Sequence, residues 1–347
     1  MPKKLILIAG LPVFVALAAA LPIKAGAGQP DIPFAENKSI SLPIDCTPGT
    51  DCWLPNYVDA DPGAGASDYT GGVRTYDGHK GVDFAIRDRR ARARGVSVRA
   101  AAAGVVMAIR DDMPDINFKL LKPKALKGKE CGNAVVVRHD ADWRTQYCHM
   151  REGSIRVRKG QRIKAGTRLG LVGLSGKSEF PHLHFMIFYK GVQVDPFTGR
   201  SIKTGDKVGP PLWQAAARAR LPYRATNIYH AGFSAEKPRF IAARRGDYRS
   251  DKLASPVKTL FVWMDIFGIH NADRLTLRLF GPDGTQQAER RVNMKLKKPR
   301  ARQFLQFGFK HPRGTWPAGA YRGEMILSRQ LSDGLKTYRA SRRVTIN

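Results

Sequence analysis

Phe180-Pro181-His182-Leu183-His184-Phe185-Met186-Ile187-Phe188-Tyr189 is the stretch from which the fold is read. Apolar and aromatic residues fill the interval between Pro181 and the Lys190-Gly191 turn, the pattern of a buried strand. Residues two apart on a strand share a face, so His182 and His184 look at one point. Two imidazoles held side by side suit a metal ligand with a proton-handling neighbour. They equally suit two polar residues on a wet sheet face, and the rest of the chain has to decide.

Working outward, short strands punctuated by glycine recur on both sides. Gly78–Ile86 reads as a strand entered from a loop, with His79 and Asp83 four apart and so expected on one face, and Gly81 between them leaving room for an ion to approach the backbone. Gly95–Val98 and Ala102–Ala108 are further strands. Val135–His139 and Arg144–His149 make a hairpin across Asp140-Ala141-Asp142, which sets Cys131 nearly opposite Cys148. Helix signals are scarce. The expectation for residues 67–205 is a mainly β, antiparallel domain. Between Arg110 and Glu130 the strand pattern stops in a lysine-rich insert, either a surface loop or a wall of a groove.

The 347 residues allow two or three compact units. Lys3 and Lys4, the apolar run Leu5–Ala20 and Ala25-Gly26-Ala27 describe a secretory signal over residues 1–27. A membrane anchor is the weaker alternative, because the run is short and holds Pro12. No Cys lies in or just after the run, so a lipoprotein is not indicated. Export makes two disulfides the better reading of the four cysteines, Cys46 with Cys52 and Cys131 with Cys148, since no C-x2-4-C pair is present. Residues 28–66 read as an irregular, disulfide-stapled lead-in. The formal net charge of +30 implies attraction to a polyanion. No nucleic-acid-binding motif accompanies it, which leaves cell-wall and other anionic envelope polymers or anionic lipid surfaces as partners for an exported chain, with a periplasmic or secreted location.

Residues 206–250 read as a linker with one short helix near Leu212–Arg220. In 251–347, Leu275, Leu277 and Leu279 alternate with Thr276 and Arg278, and about six such strands imply a small β-sandwich. Nothing catalytic stands out there. His230, His270 and His311 lack ligand-like spacing, so the region is expected to bind or pack.

Three pieces remain: His79-x-x-x-Asp83, Tyr147-Cys148-His149 and His182-x-His184. A catalytic zinc takes three His or carboxylate ligands and keeps one open position; His79, Asp83 and one of the last two histidines would supply that set. No HExxH is present, so a helix-borne glutamate base is not expected. At these motifs the sequence resembles the M23 (LytM/lysostaphin-type) zinc metallopeptidases of bacterial cell walls. His79-Lys80-Gly81-Val82-Asp83 matches the family's HxGxD and Pro181-His182-Leu183-His184-Phe185 its HLHF, with Gly170–Gly176 as the glycine-rich approach. The resemblance runs from about residue 74 to 198. It implies one Zn2+ held by His79, Asp83 and His184, catalytic histidines at His149 and His182, and an antiparallel sheet groove. It also implies cleavage of peptide cross-links of peptidoglycan by metal-activated water. A non-catalytic wall-binding protein or hydrolase activator on the same fold is the alternative.

Overall fold

The computed structural model describes residues 39–347. The signal-peptide reading of residues 1–27, and the lead-in up to residue 38, lie outside the described residues.

The His182–Tyr189 strand is central because its alternate side chains Leu183, Phe185 and Ile187 enter the main core, while His182 and His184 face the other way. Val82–Ile86 pairs antiparallel on one side and Trp143–Met150 on the other. The sheet continues through Asn133–Arg138, Gly104–Arg110 and Arg162–Ile163, and its opposite edge is Cys52–Trp53. Register does the positioning: Asp83 lies opposite His184 from one flank, and Cys148 opposite His184 from the other. Phe84, Val135, Val137, Tyr147 and Leu169 close the core beneath, each fully buried apolar side chain contributing about 1.5–3 kcal/mol.

Both expected disulfides form, Cys46–Cys52 and Cys131–Cys148. The insert contains a single 3-10 turn, Phe118–Leu120, and a short helix, Pro123–Leu126. It is tied to the loop that leads into the His182 strand. Phe118 N–H donates to Ser178 O at 3.1 Å, Lys119 pairs with Glu179 at 2.8 Å, and Leu174 N–H donates to Asp115 at 2.6 Å.

The C-terminal region is a sandwich of two antiparallel-rich sheets. One contains Asn227–Ser234, Thr259–Ile269 and Arg300–Lys310; the other contains Lys252–Leu253, Gly334–Ile346, Gly319–Leu331, Arg274–Phe280 and Gln286–Asn293. Ile228, Phe233, Val262 and Met264 of the first meet Leu275, Leu277, Leu279 and Leu327 of the second in one core. Two features depart from the sequence reading. The stretch 206–250 contributes the sandwich strand Asn227–Ser234 besides the helices Ala215–Ala219 and Phe240–Arg245. That strand shows no alternation because it is buried almost throughout. Gln286–Asn293, an exposed edge strand rich in charge, also had no apolar signal.

The sandwich is packed onto the sheet that carries His182 and His184. Trp53, Ala85 and Phe180 form a small cluster with Tyr229 and Phe267. The buried Arg74 donates to the carbonyls of Leu54, Pro55 and Arg224. Arg329 donates to Asp273 and to the carbonyls of Ala225 and Gly268.

Candidate metal centre

His79 sits in the loop before the strand, not on it, since the strand starts at Val82. In an extended chain residues four apart are separated by roughly 13 Å, too far to share an ion. The turn at Gly78, with φ of 72°, folds His79 back so that its Nε2 lies 3.2 Å from Asp83 Oδ1. Gly81 serves a different purpose from the one read in sequence. A Cβ there would stand 2.6 Å from Phe185 O and 2.8 Å from His184 Cε1, so the glycine makes room for the next ligand and its strand.

Across the strand pair, His184 Nδ1 is 2.8 Å from Asp83 Oδ1 and 3.1 Å from His79 Nε2. His79 Nδ1–H is committed to Tyr57 O at 2.6 Å, which leaves Nε2 with a lone pair in the neutral tautomer. Asn56 Nδ2 donates to Asp83 Oδ2 at 2.8 Å, leaving Oδ1 toward the two rings. Lone pairs of His79 and Asp83 thus converge with His184 Nδ1 on one point, an arrangement that could hold a cation. A tetrahedral zinc about 2.0–2.1 Å from each ligand would set the ligand atoms roughly 3.3 Å apart. The observed spacings are close to that, so these residues fit the metal. Among the described residues the other grouping of potential ligands is Cys46, Asp51 and Cys52, whose sulfurs are spent in a disulfide.

His149 and His182 complete a ring of imidazoles: their centroids are 4.7 Å apart, and His149 is 5.8 Å from His184. His149 carries φ of 59°, a left-handed conformation that costs a non-glycine residue about 1–2 kcal/mol. Three restraints hold it there. Its N–H donates to Cys131 O at 2.8 Å, the Cys131–Cys148 disulfide braces the preceding residue, and its Nδ1–H donates to Ser175 O at 2.8 Å. Gly176 lets that loop approach, since a Cβ there would stand 2.4 Å from Glu130 O. His182 Nδ1–H donates to Phe180 O at 2.8 Å, with Ser178 Oγ 3.2 Å away, and Nε2 faces Asp83 Oδ1 at 3.5 Å.

Electrostatics separates the groups. Burial would raise the Asp83 carboxyl, but His79 and then His182 outweigh it and hold it well below the carboxylate range. His79 is raised because the Asp83 carboxylate overcomes its burial. Burial, then the neighbouring His182 and His184, hold His149 well below the ordinary histidine value, so its ring stays neutral. All five histidine and aspartate positions singled out in sequence are therefore brought together. Asn56, Tyr57, Ser175, Ser178 and Phe180, which orient them, were not singled out. Four of them act through a carbonyl or a short polar side chain on irregular backbone, which leaves no pattern in a sequence, and Phe180 also acts through its ring.

The family description "Peptidase family M23" matches residues 77–196, the segment that holds all five positions. Residues 77–196 are similar to the M23 peptidases. Over 117 residues the chain is 32% identical to peptidoglycan DD-endopeptidase ShyA of Vibrio cholerae, covering 34% of this chain and 22% of that protein. An uncharacterized metalloprotease of Haemophilus influenzae is 31% identical over 129 residues, 37% of this chain and 22% of that one. Murein hydrolase activator NlpD of Escherichia coli is 31% identical over 119 residues, 34% and 25%. The chain thus spans about a quarter or less of the curated relatives it matches. Among solved structures, the catalytic domain of lysostaphin from Staphylococcus simulans is 26% identical with a TM-score of 0.25, covering 39% of this chain and 85% of that one. A zinc containing peptidase from Vibrio cholerae is 21% identical with a TM-score of 0.30, covering 49% and 40%.

Proposed function

We propose that the chain is an exported zinc endopeptidase that hydrolyses peptide cross-links of bacterial peptidoglycan. The observation that carries the reading is the convergence of His79 Nε2, Asp83 Oδ1 and His184 Nδ1 within 2.8–3.2 Å of one another, with two more imidazoles beside them. One Zn2+ held by His79, Asp83 and His184 would lower the pKa of a water to about 7 and polarise a scissile carbonyl.

The chain's own groups do the rest. Asn56 and Tyr57 O fix the orientation of Asp83 and His79. His149, neutral and with Nδ1–H anchored to Ser175 O, presents Nε2 to take the proton that an attacking water gives up and to return it to the departing amine. His182, with Nδ1–H on Phe180 O, presents Nε2 beside Asp83, within reach of the reacting groups. The +30 charge favours binding to the anionic envelope.

The second reading, an activator without turnover, is favoured by the likeness to murein hydrolase activator NlpD. Digestion of purified sacculi separates the two. Chelator-sensitive release of peptide-cleaved fragments, absent with His149→Ala, supports the enzyme; no release by zinc-loaded protein, together with stimulation of a separate hydrolase, supports the activator.

A further inference from the structure

Phe180 stands two residues before His182 and restrains it twice. Its carbonyl accepts from His182 Nδ1 at 2.8 Å, and its ring lies 4.7 Å from the imidazole with the planes 32° apart. The peptidase sheet does not hold Phe180 alone. Its ring packs on Phe267 of the sandwich at 5.9 Å, and the Arg302 guanidinium, also from the sandwich, sits 5.1 Å over it. The same guanidinium lies 5.0 Å over Tyr229 and 5.6 Å over Phe267, two rings stacked on each other at 4.0 Å.

Asp265 locks this cation. Arg302 donates to Oδ2 from Nε at 3.1 Å, and a terminal nitrogen forms an ion pair with the same oxygen at 2.9 Å. Arg244 Nε at 3.1 Å and the Tyr229 hydroxyl at 2.5 Å complete the same oxygen's partners. A guanidinium serves here as a lysine would not, because its plane lies against rings while its edge engages a carboxylate.

We infer that Arg302 is a positioning residue for His182. Locked by Asp265, it clamps the Phe180 ring and thereby fixes the position and tilt of the imidazole, so the sandwich is part of the catalytic apparatus and not a detachable wall-binding module. The inference rests on His182 acting in the proposed hydrolysis, but the clamp itself is a structural statement with its own readout.

The test uses the full chain labelled at histidine nitrogens, with and without added zinc. Arg302→Met, Arg302→Lys and Phe180→Leu are compared with Leu277→Ala, a sandwich-core truncation outside the Phe180 cluster. The first three are expected to shift the His182 ring resonances alike, while Leu277→Ala leaves them in place despite its loss of stability. In sacculus or peptide cleavage the same three lose about tenfold to a hundredfold in kcat, with zinc content unchanged and KM moved by less than about twofold. Phe180→Leu added to Arg302→Met costs little more than either alone. Unmoved His182 resonances in Arg302→Met, or equal shifts in Leu277→Ala, would overturn the clamp. Shifted resonances in a protein without turnover would uphold the clamp and sink the peptidase reading instead.

Discussion

Asp83 and Asp265 are both buried carboxylates on central strands, one in the peptidase sheet and one in the sandwich. Burial alone would raise both; His79 and His182 outweigh it at Asp83, Arg302 and Arg244 at Asp265. The difference lies in who supplies the positive charge. Asp265 is closed by two resident guanidiniums and a tyrosine hydroxyl. Asp83 faces imidazoles, two of which burial keeps toward the neutral form, so its neighbourhood has room for an external cation. A carboxylate among arginines is structural; one among histidines, with lone pairs turned inward, is a site.

The sharpest break of this contrast is Asp83→Ala, which should abolish zinc retention and sacculus cleavage; full cleavage by that variant would remove Asp83 from the site. Next, His149→Ala should retain zinc and lose about 10²- to 10⁴-fold in kcat, the usual weight of a general base, as single-turnover assays would read. On the other side, Asp265→Ala leaves the largely covered Arg302 and the partly exposed Arg244 without their carboxylate. Chemical denaturation should show a loss of about 3–5 kcal/mol, with zinc content unchanged.

The smallest effect concerns pH. Burial, opposed by the Asp88 carboxylate, pushes His230 down to about 3 from the ordinary 6.5. The unfolded chain then takes up a proton that the folded chain refuses, so stability falls as pH drops through 6.5 and levels off near 3. His230→Phe should lose less stability than the native chain between pH 7 and 4, by about 2–4 kcal/mol in urea midpoints converted to free energy. Parallel pH curves would show that His230 does not set this slope.

The strands carrying His184 and Asp83 were legible because their apolar runs are bounded by Pro181 and Gly191 and by Gly81. The hairpin that carries His149 followed from Asp140-Ala141-Asp142 and the facing cysteines. His79 was legible as a residue but not as a geometry, because the Gly78 turn and not strand alternation brings it to Asp83. The strand Asn227–Ser234 escaped because both its faces are covered, which erases the period of two. Phe180, Arg302 and Asp265 escaped for a deeper reason: they meet across 85 and 122 positions of chain, from 180 to 265 and to 302, through packing that no local pattern encodes.

Zinc titration into the metal-depleted full chain, followed by metal content after dialysis, tests the central claim most directly. One zinc per chain, lost in His184→Ala and in Asp83→Ala but kept in His149→Ala, is the expected result. No retained zinc, or zinc that survives the loss of Asp83 and His184, would contradict the assignment of these residues as a metal centre.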